Sequence, residues 1–381
     1  MPEPDGAGTP DMFDPGLAQD PYPTYARLRQ GPDVAHDPER GCWFIHRYAD
    51  VRSVLRDSAN YSSANASFET TLLGAQGKAH DHVRRALAPS FSPIGVQRLR
   101  QGIVRRVNQA LDVVADRGTG DVVADLATPV PQTVVGQLLG LPASESAKLQ
   151  TWAEALFDSG ESQAAIQEQV TDCRRVLREH LTGFRAEGLD LVVTALEDDP
   201  SGLTLDERIE VGLLLVVAGL GTTTSLIGSA VQVLLRHPRL ARKLRQEPDL
   251  VAPFVEEVLR YRSPIQRTLR RSLQTTTVAG QSIPAGANLF VLIGAANRDP
   301  SKFADADRFR PFRQPNDHLG FGAGAHTCLG LWLARMEATL AIQGLLQRFS
   351  GIEAAGRTND MVELGHLFVF GPARLDIAVR Q

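Results

Sequence analysis

One short stretch constrains this chain more than any other, because several residue types stand at fixed spacing around a single cysteine. Residues 318–336 read HLGFGAGAHTCLGLWLARM. Glycines allow tight turns and let a backbone approach a flat ligand, and the apolar positions from Leu331 to Leu340 predict that the turn leads into a buried helix. A thiol beside a helix N-terminus gains thiolate character, and a thiolate is a soft metal ligand. The stretch therefore predicts a loop that offers Cys328 to a metal ion.

A glycine-rich loop with an inert cysteine before a core helix is the alternative interpretation. Glycine pairs alone would favour it, but nine positions match one pattern of fixed spacing, which makes coincidence remote. These positions are Phe321, Gly322, Gly324, His326, Cys328, Gly330, Leu333, Ala334 and Arg335. At these residues the chain resembles the cytochrome P450 family, in which a cysteine thiolate of this loop holds a haem iron.

The resemblance implies a fold and a cofactor. The fold is mainly α with small β sheets, the cytochrome P450 fold, and the match runs from about Asp20 to Val379. The cofactor is haem b (iron protoporphyrin IX), with Cys328 as the ligand of the metal. By the same match, the cofactor-binding residues of the loop include Phe321, Gly322 and Gly330. Backbone N–H groups of the loop then tune the thiolate.

Basic side chains match three sites that hold the two haem carboxylates in the family. His80 and Arg84 form an i,i+4 pair on one face of a helix, Arg270 lies in the segment SPIQRTLRR, and His326 stands just before the cysteine. Each of them alone would be interpreted as part of a solvated surface. Because charged groups in a largely buried site need partners, the cysteine motif favours the haem assignment.

A charge network is also implied behind the haem loop. Glu257 and Arg260, in FVEEVLRY, match the Glu-x-x-Arg of the family, although an i,i+3 pair of this kind is common on any helix. The resemblance adds Arg308, in the string ADRF, as the third member. We expect this buried trio to be structural and not catalytic.

An apolar segment at residues 210–228, EVGLLLVVAGLGTTTSLIG, carries glycines and threonines near its end. Such residues weaken or bend a helix, so a local opening that admits O₂ and water is one expectation. Close packing of another helix on the glycines is the alternative. The segment resembles the central P450 helix, Ala-Gly-x-(Asp/Glu)-Thr-(Thr/Ser). The resemblance places Ala218 and Gly219 at the haem and gives Thr222 a catalytic role together with Cys328.

The acid position of that motif is occupied by Gly221. In relatives the acid and the threonine help to deliver protons to bound oxygen, and a glycine has no side chain that could do so. Three explanations stay open, in this order. Water fills the space and solvent supplies the protons, or a polar group of the substrate joins the relay. Alternatively, the enzyme carries out chemistry that demands fewer protons, such as one-electron phenol coupling or peroxide-driven oxidation.

Residue-wise matching also gives a mostly apolar substrate pocket, as is usual for small-molecule sites, although core packing explains most of these residues equally well. The predicted members are Phe68, Leu214, Val217, Ile265, Gln266, Leu367 and Phe368. The implied function is a monooxygenase that inserts one atom of O₂ into an apolar or aromatic small molecule, by hydroxylation or epoxidation, in secondary-metabolite tailoring or catabolism. Oxidative phenol coupling or peroxide-driven oxidation is the alternative on the same scaffold. A haem protein that binds a ligand without turnover is the alternative from another class.

The expected partners are separate chains. The resemblance implies that a ferredoxin and a ferredoxin reductase supply electrons, and four arginines hint at a basic docking surface, although a plain solvated face is equally consistent. They are Arg84, Arg85, Arg105 and Arg106. The formal charge of −4 and the lack of a long Lys/Arg-rich block argue against nucleic acid as a partner.

Composition and the remaining cysteines predict the compartment. The apolar run Val211–Leu220 is too short to span a bilayer, and the polar N-terminus shows no signal sequence. The three cysteines, at positions 42, 173 and 328, form no spaced disulfide or metal framework, so a reducing cytoplasm is expected. We expect a cytoplasmic monomer without a membrane anchor.

The site motifs are spread widely along the chain and must converge on one centre. We therefore expect a single cytochrome P450 catalytic domain at residues 21–381. The Pro/Gly-rich residues 1–20 are expected to form a flexible N-terminal tail.

Overall fold

The computed structural model describes residues 10–64, 74–157, 163–183, 192, 203–356 and 362–381. Their α-helices are α1 (Tyr22–Leu28), α2 (Tyr48–Arg56), α3 (Gly77–Phe91), α4 (Pro93–Gln97), α5 (Arg100–Arg117), α6 (Pro129–Leu138), α7 (Ala143–Ser146), α8 (Leu149–Phe157), α9 (Gln163–Gly183), α10 (Leu205–Arg236), α11 (Pro238–Gln246), α12 (Val251–Tyr261), α13 (Ile293–Ala296) and α14 (Leu331–Arg348). Short 3₁₀ turns lie at Pro15–Ala18, Pro248–Leu250 and Gly324–His326, and a π-helical turn lies at Val123–Ala127.

The strands of the described residues are β1 (Val34–Asp37), β2 (Cys42–Ile45), β3 (Tyr61–Ser62), β4 (Thr119–Asp121), β5 (Thr268–Ser272), β6 (Thr276–Val278), β7 (Gln281–Ile283), β8 (Asn288–Val291), β9 (Gly351–Ala354), β10 (Val362–Glu363), β11 (Pro372–Arg374) and β12 (Asp376–Arg380). They form a five-stranded sheet in the order β1-β2-β8-β5-β3, a three-stranded sheet β4-β12-β9, and the pairs β6-β7 and β10-β11. Long helices with short sheets confirm the predicted fold class.

The long helix α10 organises the core. A capping box starts it: Thr204 Oγ1 accepts a hydrogen bond from the N–H of Glu207 at 3.3 Å, and the Glu207 carboxylate accepts one from the N–H of Thr204 at 2.8 Å. Its first half packs in one apolar cluster with α8 and α9, and its second half packs in another with α5, α12 and α14. This helix is long and apolar enough to cross a membrane, but 72% of its apolar window is buried inside the protein, as expected of a core helix.

Helix α10 is continuous through the segment of glycines and threonines. The described residues show no break in the helix at the place of the expected local opening. Thr222 Oγ1 donates a hydrogen bond to the carbonyl oxygen of Ala218, one turn earlier in the helix, at 2.8 Å. The hydroxyl group of Thr222 therefore has a hydrogen-bond partner within the helix. On another side of the helix, a Cβ added to Gly219 would lie only 2.9 Å from Val135 Cγ2 of α6, so close helix packing accounts for this glycine.

Residues 10–20 are packed against the protein, which corrects the expectation of a flexible tail for this part. Met12 and Leu17 are buried. The carbonyl oxygen of Met12 accepts a hydrogen bond from the Arg267 guanidinium at 2.7 Å, and Asp14 caps the 3₁₀ turn by accepting from the N–H of Gly16 at 2.7 Å. The apolar residues of this segment outweigh its Pro/Gly content. Residues 1–9 lie outside the described residues.

Candidate functional site

The cysteine loop is shaped by two glycines with left-handed backbone. Gly322 and Gly324 have φ values of +71° and +78°, which favour glycine. The N–H of Cys328 donates to the carbonyl oxygen of Phe321 at 2.9 Å, which folds the loop back on itself. A Cβ at position 324 would lie 2.7 Å from the Cα of Arg56. The loop thus rests on α2 and delivers Cys328 just before α14.

The Cys328 thiol faces open space although protein surrounds it. Its side chain is exposed, and burial in the surrounding protein raises the pKa of the thiol, while the N–H of Gly330 and the positive charges of Arg84 and Arg335 oppose that shift. These two facts fit a side chain at the floor of a recess. Because a coordinated thiol gives up its proton to the metal's field, the environment suits a metal ligand. Cys42 and Cys173 are buried, and burial raises the pKa of the Cys173 thiol to about 12.

Two of the predicted carboxylate-binding residues lie in contact. The rings of His80 and His326 have centroids 4.4 Å apart. His80 Nδ1 lies 3.1 Å from the Asp81 carboxylate, while its buried Nε2 has no hydrogen-bond partner among the described residues. His326 Nε2 lies 3.0 Å from Ser63 Oγ. A buried ring nitrogen that lacks a partner points to a ligand with acceptor oxygens.

Basic charge accumulates around this pair. Arg270 is 8% exposed, and burial lowers the pKa of its guanidinium to about 10. It has no carboxylate partner in the described part of the chain; its Nη1 donates to the carbonyl oxygen of Leu269 at 2.7 Å. Burial, followed by the charges of His80, Arg270 and Arg84, lowers the pKa of His326 to about 4. A dicarboxylate seated here would relieve this crowding of positive charge, so these residues fit the two carboxylates of haem.

One face of α10 carries the predicted oxygen-side residues. Ala218 is exposed although most of its helix is buried, and Thr222 is partly exposed one turn further on. Leu214 and Val217 precede them on this face and belong to none of the apolar clusters formed by the described residues. Gly221 contributes only backbone. The face therefore presents small and apolar groups with one hydroxyl.

The buried charge network is present, with one member corrected. Glu257 and Arg260 are fully buried and form a bidentate pair with two N–O distances of 2.8 Å. The second cation is Arg313, whose Nε lies 3.2 Å from both Glu257 oxygens. The assignment of the Arg308 side chain was wrong: Arg308 is exposed and contributes only its carbonyl oxygen, which accepts from Arg260 at 3.0 Å. The short string ADRF does not reveal which nearby arginine turns inward.

A second glutamate, missed by sequence reasoning, holds both flanks of the cysteine loop. Arg335 donates to Glu256 at 2.6 and 2.9 Å, and His318 Nε2 lies 3.1 Å from the same carboxylate. The Arg335 guanidinium also lies over the Phe321 ring, 4.6 Å from its centroid. Adjacent acids in FVEEVLRY and the arginine of LARM were visible in the sequence. Their spacing did not indicate that Glu256 and Arg335, which are far apart in the sequence, form a salt bridge.

We expect Glu256→Gln to weaken this clamp of Glu256, His318 and Arg335. Burial opposes ionisation of Glu256, but hydrogen bonds from Arg335 and His318 outweigh it and lower the pKa of the carboxyl from 4.5 to about 2. Loss of charged hydrogen bonds should reduce the free energy of unfolding by about 1.5–3 kcal/mol at neutral pH. Since the folded pKa lies below the unfolded value, the difference from wild type should be complete above pH 4.5 and should fade as pH falls towards 2. Urea unfolding at several pH values measures the loss of free energy of unfolding and its pH dependence, with Glu353→Gln at an exposed position as the control. Equal losses of free energy of unfolding in the two variants would contradict the clamp.

The predicted pocket residues outside α10 have three different outcomes. Ile265 bridges to Val369, and the Phe368 ring lies 6.4 Å from that of Phe290, while Leu367 packs on the N-terminal apolar cluster. Phe68 lies outside the described residues. The prediction that Gln266 lines the pocket was wrong.

Gln266 is 2% exposed and serves packing inside the protein. Its Nε2 donates to the carbonyl oxygen of Ser263 at 2.7 Å and to the Tyr22 hydroxyl at 3.3 Å. A Cβ added to Gly294 of α13 would overlap its amide. The side chain therefore points between α1 and α13. The prediction failed because residue-wise matching gives the position of a residue but not the direction of its side chain.

Comparison with known proteins gives the class. The cytochrome P450 family model matches residues 149–379. Cyclomarin C epoxidase CymV from Salinispora arenicola is 35% identical over 359 residues, which cover 89% of this chain and 90% of that protein. Cytochrome P450 monooxygenase PikC from Streptomyces venezuelae is 33% identical over 353 residues, covering 87% of this chain and 84% of that protein. The chain belongs to the cytochrome P450 family.

A solved structure agrees with this assignment. The bacillaene polyketide synthase cytochrome P450 PksS from Bacillus subtilis matches with a TM-score of 0.90 at 29% identity, over 97% of this chain and 100% of that chain. The predicted family and fold are confirmed, and the protein is an oxidoreductase of the P450 class, for which the family implies a haem cofactor.

Proposed function

We propose that this protein is a haem-thiolate monooxygenase that inserts one oxygen atom from O₂ into an apolar or aromatic small molecule. The observation that carries the proposal is the Cys328 thiol, exposed at the floor of a recess, together with the basic cluster of His80, Arg270 and His326. Among the described residues, His80 Nε2 has no hydrogen-bond partner and Arg270 has no carboxylate partner. The overall reaction consumes a C–H bond, O₂, two electrons and two protons and yields a hydroxylated product and water; an alkene takes up the oxygen atom as an epoxide instead.

Each proposed residue has a distinct task. When bound, haem supplies the activation of O₂. Cys328 would ligate the iron through Sγ, and His80, Arg84, Arg270 and His326 would hold the two carboxylates. Thr222 would hold a proton at Oγ1, the atom that donates to the Ala218 carbonyl in this structure.

The wall that faces the haem would include the part of α10 that carries small residues, namely Ala218 and the backbone of Gly219 and Gly221. Leu214 and Val217 from the same helix, Ile265, and the hairpin residues Leu367 and Phe368 would line the substrate side. The relatives CymV and PikC are named as an epoxidase and a monooxygenase, which supports hydroxylation or epoxidation in secondary-metabolite tailoring.

The remaining parts of the proposal concern partners and setting. Electrons would come from a separate ferredoxin and ferredoxin reductase, docking near the arginines at 84, 85, 105 and 106. We further propose a cytoplasmic monomer whose residues 21–381 form one catalytic domain. Burial of the apolar helix α10 inside the protein supports its assignment as a core helix and not as a membrane span.

One observation favours a second candidate. Gly221 leaves the acid position without a side chain, which suits chemistry with less demand for protons, such as peroxide-driven oxidation or oxidative phenol coupling. Hydrogen peroxide brings two protons and two electrons, so a peroxide-driven enzyme needs neither a ferredoxin nor protons delivered from solvent.

The experiment has two stages. A compound library is screened against the haem-loaded protein for shifts of the visible absorption band, and each ligand found is then incubated with O₂, NADPH and a surrogate ferredoxin and reductase. We expect a product that carries one atom of ¹⁸O from ¹⁸O₂. Product formed only with hydrogen peroxide, or a coupled product without ¹⁸O, would favour the second candidate. Ligand binding without product under any condition would contradict enzymatic function.

A further inference from the structure

A row of polar side chains runs along α10 away from Thr222. Ser225, Ser229, Gln232 and Arg236 follow it at steps of three, four, three and four residues, and residues at such spacing share one face of a helix. At 1.5 Å per residue the row is about 21 Å long. It begins beside the predicted oxygen site and ends at Arg236, which is exposed.

The interior of this row is buried and incompletely hydrogen-bonded. Ser225, Ser229 and Gln232 have no exposed surface. The hydroxyl oxygens of both serines and Oε1 of Gln232 have no hydrogen-bond partner among the described residues. A buried polar group that lacks a partner costs about 1–3 kcal/mol, and ordered water is the usual way to satisfy such groups.

An acidic group joins the row near its outer end. Gln232 Nε2 donates to Glu363 at 3.1 Å, and Arg262 Nη2 donates to the same oxygen at 2.7 Å. The other Glu363 oxygen and Arg262 Nε are buried with no hydrogen-bond partner in the described ranges. Among the described residues, Gln232 and Arg262 thus hydrogen-bond to Glu363. The Arg236 guanidinium interacts with the positive charge of Arg262, with the negative charges of Glu363 and Asp20, and with the Tyr261 phenol.

The hairpin that carries Glu363 closes the row from the side. A Cβ added to Gly371 would lie 2.6 Å from the Cβ of Ser225, and one added to Gly228 would lie 2.7 Å from Pro372 Cγ. This close approach screens the inner serines from bulk solvent. Successive serine and glutamine positions on one helix face lie about 5–6 Å apart, a gap that one water with two hydrogen bonds can bridge.

We propose that this row, from Thr222 to Glu363 and Arg236, is a water-filled proton route that replaces the acid missing at Gly221. The Glu363 carboxylate takes up a proton from solvent at the outer end of the row and releases it to waters held by Gln232, Ser229 and Ser225, which returns Glu363 to the carboxylate. These waters pass a proton to Thr222 Oγ1, which gives up its own proton on the oxygen side. Two such transfers, with two electrons from a ferredoxin, match the two protons of the monooxygenase reaction. The inference rests on the proposed function and names the source of its protons.

The test needs no substrate, so its failure is distinct from failure of the proposed function. Haem-loaded protein is supplied with NADPH, O₂ and a saturating surrogate ferredoxin and reductase, and NADPH oxidation is followed in H₂O and D₂O. Because a positioned proton donor accelerates proton-dependent steps by about 10²–10⁴-fold, Ser229→Ala and Gln232→Leu should slow oxidation at least about tenfold and increase the solvent isotope effect. Ser229→Thr, which keeps a hydroxyl, should retain most of the rate.

Two controls separate proton transfer from damage to the helix. Thr224→Val removes a buried hydrogen bond to the Ala127 carbonyl but lies off the row, so it should behave as wild type. Adding Gly221→Asp supplies an acid directly beside Thr222, so Ser229→Ala in that background should no longer slow oxidation. Wild-type rates and isotope effects in both Ser229→Ala and Gln232→Leu would overturn the proposal.

A crystal structure gives a readout that is independent of turnover. We expect ordered waters within hydrogen-bond distance of Ser225 Oγ, Ser229 Oγ and Gln232 Oε1, and loss of the middle water in Ser229→Ala. A row filled by protein atoms with no ordered water in the wild type would also overturn the proposal.

Discussion

Glu257→Ala is expected to give a protein that no longer retains haem. The carboxylate of Glu257 holds Arg260 by two hydrogen bonds of 2.8 Å and Arg313 by two of 3.2 Å, and it accepts the N–H of Arg310 at 2.8 Å. Removing it leaves two buried guanidinium groups without their counter-charge, at a cost of about 3–5 kcal/mol. The backbone that runs from this network into the cysteine loop would then lose its support.

The measurement is the haem content of purified protein, together with the free energy of unfolding. Glu353→Ala is the matched control, because Glu353 pairs with Arg380 at the surface and both side chains are mostly exposed. An exposed pair contributes about 0–1 kcal/mol, so the control should load haem normally. Normal haem content in Glu257→Ala would refute the role of the network.

Gly324→Ala is expected to have the second large effect, on the cysteine loop itself. An added Cβ would lie 2.7 Å from two backbone atoms, Arg56 Cα and the carbonyl oxygen of Leu55. Backbone atoms of a packed helix cannot move aside as a flexible side chain can. The residue also has φ of +78°, which costs a non-glycine residue about 1–2 kcal/mol. We expect displacement of the loop from α2 and loss of most of the haem.

Gly280→Ala separates these two contributions. Gly280 has the same φ of +78°, but nothing lies within 4 Å of its added Cβ. This variant should lose about 1–2 kcal/mol of stability and retain full haem content. If Gly324→Ala loads as much haem as Gly280→Ala, the close contact of the loop with α2 is not needed to hold the cofactor.

The cysteine loop was predictable because its information is local. Turn glycines, the thiol and the start of the helix stand within a few residues of each other, and the structure reproduces that order with Gly322 and Gly324 in left-handed backbone. The family resemblance extended this prediction to His80 and His326, which the structure brings into ring contact.

Predictions failed where the outcome depends on a side chain's direction or on a distant partner. Arg313, not Arg308, turns towards Glu257, because packing of the whole 297–316 segment decides which arginine is buried. Gln266 turns towards Tyr22, and the N-terminal segment docks through Met12. Residue types and spacing carry no direct record of these long-range contacts.

The two buried serines of α10 are a second case in which the sequence alone does not predict the environment of a side chain. In the sequence, Ser225 and Ser229 are two small polar residues in an apolar helix. Only the packed structure shows that their hydroxyls are buried and lack partners among the described residues, next to the position where the acid of the family motif is replaced by Gly221. The unusual residue in the motif and the unusual polar row thus lie on one helix.

The most direct test of the central claim, a bond from Cys328 to the haem iron, is the absorption spectrum of the reduced protein under carbon monoxide. We predict the long-wavelength band characteristic of a cysteinate-ligated haem in the wild type, and its absence in Cys328→Ser. A wild-type protein that binds carbon monoxide with full haem content but without that band would contradict the claim.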